Sequence, residues 1–148
     1  MCAGGIPTAG GDHIHNMIKA SLEIRNFTRE YNRKRSEAGL EVWDLRMGIH
    51  VGPVVAGVVG KKKYAYDIWG STVNIASRME SNGEPGLVNI SSSVYALIKD
   101  EYNCRYRGKI YAKNVGEIDM YFLDEGTNGV THDELLVNDE EKREIESH

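Results

Sequence analysis

Three side chains within twelve residues carry the chemistry this sequence offers: Asp67, Asn74 and Arg78, a carboxylate, an amide and a guanidinium. They lie in Tyr64–Ser81, Y-A-Y-D-I-W-G-S-T-V-N-I-A-S-R-M-E-S. The stretch reads as an aromatic-rich buried segment, a glycine turn and a short helix. Asn74 and Arg78 are four apart, so they share one helix face. Val73, Ala76 and Met79 fall on another face and are expected to pack inward. Ser71 or Thr72 is placed to cap the helix, because a hydroxyl there accepts a free backbone N–H of the first turn. Taken singly, the three have bland readings: an acid at a strand end, an asparagine cap, a surface arginine. A polar pair on one face, an apolar stripe on the other and an acid just upstream together describe a site.

Other chemistry falls away on spacing. Gly60-Lys61-Lys62-Lys63 is not a Walker phosphate loop, because the G-x-x-x-x-G-K-[ST] spacing fails. It reads as a solvated lysine turn. His13 and His15 are two apart on a predicted helix and do not share a face, so they make no metal pair. His50 sits in a strand pattern and is read as packing or hydrogen-bonding. Tyr64, Tyr66 and Trp69 have the faces to stack on a base but are assigned to the core. Cys2 and Cys104 lack C-x-x-C spacing, which excludes a zinc knuckle and a disulfide scaffold and fits a reducing compartment.

The elements that must position the three residues follow from periodicity. Gly11–Gly39 is the longest helix candidate, with Asp12 as N-cap and Gly39 as terminator. Met17, Ala20, Ile24, Phe27 and Tyr31 recur at three and four and form its apolar stripe, with Ile14 and Ile18 alongside. Arg29, Arg33, Lys34 and Arg35 gather near its C-terminus, where the helix dipole favours cations. Val42–Val51 alternates as a strand, Gly52-Pro53 turns it, and Val54–Val59 follows as an apolar strand expected to be buried on both faces. After the Gly70–Ser81 helix come a loop at 82–86 and a short strand, Leu87–Ile90. Ser91 or Ser92 caps a helix to about Lys99 with Val94, Leu97 and Ile98 inward. Asn103–Ala112 and Glu117–Leu123 read as a final hairpin. Helix, hairpin, helix, strand, helix, hairpin is the pattern of an α+β domain with helices covering a mostly antiparallel sheet. Residues 1–123 form that domain. Residues 124–148 form an acidic extension, either a peripheral helix or disordered, with a capping-box pattern at Thr131–Glu134.

The chain has 148 residues, enough for one domain, and a formal charge of −4. It has no basic footprint for nucleic acid. No apolar run approaches the ~18 residues of a membrane span, and no leader pattern is visible. The expectation is a cytoplasmic domain whose parent is free to be membrane-tethered.

Arg46–Gly60, R-M-G-I-H-V-G-P-V-V-A-G-V-V-G, followed by Tyr66–Arg78, resembles the class III nucleotide cyclases, the adenylate and guanylate cyclases. Their signature is a strand and glycine hairpin followed by Y-D-x-x-G-x-x-V-N-x-A-S-R, and the resemblance runs from about Met1 to Leu123. It implies a ferredoxin-like cyclase core, ATP as substrate, cyclic AMP and pyrophosphate as products, and Mg2+ or Mn2+ in the complete enzyme. The site is shared across a homodimer or oligomer. Asp67 matches the position that accepts a hydrogen bond from the adenine amino group; guanylate cyclases usually carry cysteine or another small residue there, so a guanylate cyclase is disfavoured. Asn74 matches the ribose-orienting asparagine and Arg78 the arginine that stabilises charge on the phosphorane. Lys113 matches a lysine contacting the terminal phosphates, though Asn114-Val115 replaces the glycine-lysine that follows it in the family.

The resemblance also marks departures. The family's metal-binding aspartates lie in an F-x-D-I-x-G-F stretch and a later G-D, neither of which is in this chain, so no metal ligand is carried over. Met1–Pro7 reads as the last residues of a strand hairpin. The sequence is expected to be a fragment or late start lacking the first strands and inactive by itself; a pseudo-cyclase or regulatory partner subunit is the alternative.

Overall fold

The computed structural model describes residues 1–6 and 10–127. The capping-box pattern at 131–134 lies outside them. In chain order the elements are α1 (His13–Glu37), β1 (Met47–Ile49), β2 (Val55–Val59), β3 (Ala65–Trp69), α2 (Ser71–Ser81), β4 (Val88–Ser91), α3 (Ser92–Ile98), β5 (Tyr102–Ala112) and β6 (Gly116–Thr127). Four strands form a sheet in the order β1-β4-β6-β5, with β1 and β4 parallel and the other pairs antiparallel. β2 and β3 make a separate antiparallel hairpin. The architecture is α+β, as the element pattern implies.

Strand alternation sorts the helices onto two faces. Val88 and Ile90 of β4 join Ile18 of α1, Val94 and Ile98 of α3, Ile49, Tyr102 and Leu123 in the larger core. The intervening Asn89 faces α2, whose Ile75 and Met79 pack with Ala112, Ile118 and Met120 in the smaller one. The hairpin β6 extends to Thr127, so the expected domain edge after Leu123 falls inside a strand.

Several expectations are corrected. α1 buries Ile18, Ser21 and Arg25, while Ala20, Ile24 and Phe27 of the predicted stripe are exposed, Phe27 by 69%. The reason lies far away in sequence: Arg25 donates through Nη1 to the Leu123 carbonyl on β6 at 3.0 Å, which turns that helix face inward. The predicted Val42–Val51 strand shrinks to Met47–Ile49 because Trp43 spends both backbone groups on Asn32 of α1, at 2.8 and 2.9 Å. β2 is not buried on both faces. It pairs only with β3, and Val55 and Val58 are 57% and 65% exposed. Tyr64, Tyr66 and Trp69 are exposed with them and are not core residues. Leu97 of α3 is exposed too. Asp12 and Ser91 hold the N-cap positions of α1 and α3 as expected, but Gly70 holds that of α2, and none of the expected caps acts through its side chain: Asp12 bonds His15, Thr72 bonds Pro53 and Ser91 bonds His50. His15 links Asp12 to Glu101 (2.9 Å) beyond α3, tying the start of α1 to the entry of β5.

Candidate active site

α2 carries two of the four candidate residues, so what seats α2 sets the site. Its buried side is Thr72, Ile75 and Met79, with Val73 and Ala76 half-buried. That side lies directly on β1. A Cβ at Gly48 would stand 2.0 Å from the Glu80 backbone nitrogen, so only glycine lets the helix come so close. The other end is tied by Thr72, whose hydroxyl donates to the Pro53 carbonyl at 2.6 Å. The sequence places Gly48 on β1 and Pro53 in the β1–β2 turn, both ahead of the helix they hold.

With that side buried, Asn74 and Arg78 share the exposed side, as their spacing of four requires. Arg78 reaches across to β5, with Nη1 3.5 Å from the Tyr111 carbonyl. Lys113 is exposed two residues further on, in the β5–β6 turn, so the guanidinium and the ammonium belong to the same end of the sheet. Asn114 in that turn has φ 69°, the left-handed region that asparagine tolerates better than other side chains. The turn therefore keeps its shape without the glycine of the family pattern. Asp67 stands on β3 opposite Gly57, three residues before the N-cap of α2, exposed, and its Oδ1 accepts the Ile68 N–H at 2.8 Å. The structure thus places an acceptor on the β2–β3 hairpin, an amide and a cation on the exposed side of α2, and a second cation in the β5–β6 turn.

The other titratable groups serve the frame. His50 pairs through Nδ1 with the Ser91 hydroxyl at 2.7 Å, and burial lowers its pKa, which favours a neutral ring. Burial pushes the Cys104 thiol up to about 11, so it is no ready nucleophile. Lys61, Lys62 and Lys63 are exposed in the hairpin turn. Among the described residues no three His, Cys, Asp or Glu side chains stand together as a metal set. Among them, too, no helix is long and apolar enough to cross a membrane. The supports that sequence reasoning missed are Gly48, Thr72 and Asn89. The last was visible as a lone amide in the apolar run L-V-N-I-S.

The model of the adenylate and guanylate cyclase catalytic domain matches residues 1–125. Over 123 residues the chain is 36% identical to an adenylate cyclase of Mycobacterium bovis, covering 83% of this chain and 27% of that protein. It is 37% identical over 137 residues to the human guanylate cyclase soluble subunit beta-2, covering 92% and 22%. Among solved structures, the adenylyl cyclase CyaB from P. aeruginosa superposes with a TM-score of 0.76 at 28% identity, over 86% of this chain and 68% of that one. The chain spans about a quarter of the length of these curated relatives, and they include both an adenylate and a guanylate cyclase.

Proposed function

The chain belongs to the adenylate and guanylate cyclase catalytic domain family, and from that premise we propose that it supplies the substrate-recognition side of an adenylate cyclase. The reaction joins the ribose 3′-oxygen of ATP to the α-phosphorus as its hydroxyl proton is lost to solvent or a phosphate oxygen, breaks the bond from that phosphorus to the bridging oxygen, and releases pyrophosphate with cyclic AMP. Such a step calls for positioning and for neutralising charge on phosphate oxygens. Asp67 accepts from the adenine amino group, Asn74 orients the ribose, Arg78 stabilises charge on the pentavalent phosphorus, and Lys113 meets the terminal phosphates. The observation that carries the reading is the joint placement of Asp67 on β3 and of Asn74 and Arg78 on the exposed side of the helix that follows. A carboxylate at Asp67 favours an amino group on the purine over the carbonyl of guanine, because two acceptors facing each other leave both unpaired.

Mg2+ or Mn2+ would be held by carboxylates outside the described residues, on a second cyclase chain, and no step here is assigned to it. The surface we assign to that chain is the exposed apolar hairpin, Val55, Val58, Tyr66 and Trp69. The test is to mix this chain with a full-length class III adenylate cyclase. The partner carries alanine at the three positions matching Asp67, Asn74 and Arg78 and keeps its metal-binding aspartates. The mixture should make cyclic AMP at a rate neither component reaches. No gain at any ratio of the two would refute the assignment.

A further inference from the structure

β4 is buried along its whole length, and one of its residues is an amide. Asn89 has no exposed surface, between Val88 and Ile90, which are equally buried. A polar group so placed is costly unless it is hydrogen-bonded. Its Nδ2 donates to the Met79 carbonyl at 2.8 Å and also lies 3.3 Å from the Met120 sulfur. Met79 is in the last turn of α2, where backbone carbonyls have no partner within the helix. Its neighbours find theirs locally: the Arg78 carbonyl accepts from both the backbone and the side chain of Asn82, and the Glu80 carbonyl from Gly83. The Met79 carbonyl instead faces the sheet, opposite Gly48, the β1 residue in register with Asn89. Arg107 of β5 also donates to the Asn82 carbonyl at the end of α2, at 3.4 Å, but the Met79 carbonyl, next in sequence to Arg78, is met by the Asn89 side chain of β4.

We infer that Asn89 is a positioning residue: its amide caps the Met79 carbonyl and so fixes the turn of α2 from which Arg78 reaches the substrate phosphates. The inference rests on the proposed function for its catalytic half and on the cap alone for its structural half. Leucine here would leave the Met79 carbonyl without its donor, but would also remove the buried Asn89 Oδ1, which has no hydrogen-bond partner among the described residues, so the two effects largely offset. The amide is thus expected to matter more for where the helix end sits than for how firmly the chain folds.

The test uses the full chain with Asn89→Leu and Asn89→Gln. Amide hydrogen exchange is read first. Asn89→Leu should speed exchange across residues 80–83 by about tenfold, the loss of one hydrogen bond from a local opening. Exchange in β4 and β6 and the thermal midpoint should stay near wild type. In the mixture with the mutant full-length cyclase, Asn89→Leu should lower kcat by about 10- to 100-fold with KM for ATP little changed, the scale of a displacement near 1 Å. Asn89→Gln keeps the donor and should recover part of both. Wild-type exchange at 80–83 in Asn89→Leu would overturn the cap. Wild-type kcat in a mixture that the unmutated chain activates would overturn the positioning role. If Asn89→Leu does not fold, Asn89→Gln decides: a native midpoint with unprotected 80–83 overturns the proposal, and native protection supports it. Should the unmutated chain fail to activate the partner, the proposed function fails while the exchange result still judges the cap.

Discussion

Gly48→Ala isolates the contact that seats α2. The added Cβ would stand 2.0 Å from the Glu80 nitrogen, 2.5 Å from the Met79 carbonyl carbon and 2.7 Å from the Glu80 Cα. All three are backbone atoms of α2, so no side chain can swing away. Ordinary contact near about 3.5 Å requires the helix to retreat from β1 by more than about 1 Å. Overpacking a close-packed interface costs about 1–3 kcal/mol. With only backbone to yield, we expect the upper end, about 3 kcal/mol. For a chain of this size that is a thermal midpoint lower by about 6–12 °C. Gly57→Ala is the matched control in β2: its Cβ would meet only the Trp69 ring at 3.6 Å, an ordinary contact. That change should be neutral or stabilise by up to about 1 kcal/mol, because glycine has more freedom to lose in a strand. Thermal unfolding by circular dichroism measures both. A Gly48→Ala midpoint within 2 °C of wild type, or equal to that of Gly57→Ala, would refute the claim that α2 rests directly on the β1 backbone.

Arg78→Ala should lower turnover in the mixed assay by about 10²–10³-fold, the scale of one lost donor at a developing oxyanion. Its stability should change by less than about 0.5 kcal/mol because the side chain is exposed; parallel loss of folding would make it a packing residue. Asp67→Cys should narrow the preference for ATP over GTP, and an unchanged ratio would remove Asp67 from base recognition. The His15 pKa is raised by its hydrogen bond to Asp12 and the charges of Asp12 and Glu101, against the lowering effect of burial. A folded value above the unfolded one means the stabilisation is complete below about pH 6.5 and is lost as pH rises through the folded value. Urea midpoints should therefore fall as pH rises above about 6.5, and His15→Asn should flatten that slope; equal slopes would contradict the link. The exposed hairpin predicts a dimer or larger species by light scattering, and Val58→Lys should shift it towards monomer. A wild-type monomer would contradict the assigned surface.

The candidate site was largely legible because its residues are local. Asn74 and Arg78 share a helix face by spacing alone, and Asp67 precedes that helix in an extended run. Lys113 needed the hairpin to bring it near Arg78, and sequence could offer only a matching lysine. The misassigned burials have one cause: which face is covered is decided by distant partners. α1 carries two competing stripes, and hydrophobicity favours Ala20, Ile24 and Phe27. The sheet takes Ile18, Ser21 and Arg25 instead, because Arg25 meets Leu123 ninety-eight residues away. β2 has the valines of a buried strand, yet the described residues provide it one partner strand and no covering layer. Asn89 is a lone amide in an apolar run, and its role shows only once the Met79 carbonyl stands beside it.

The central claim is that this chain reads adenine for a cyclase. The most direct measurement gives the mixture of this chain and the full-length partner equimolar ATP and GTP and quantifies both cyclic products by mass spectrometry. Cyclic AMP is expected in clear excess, by at least about tenfold, the least discrimination one directed hydrogen bond should give. Cyclic GMP as the main product, or equal amounts of the two, would contradict it.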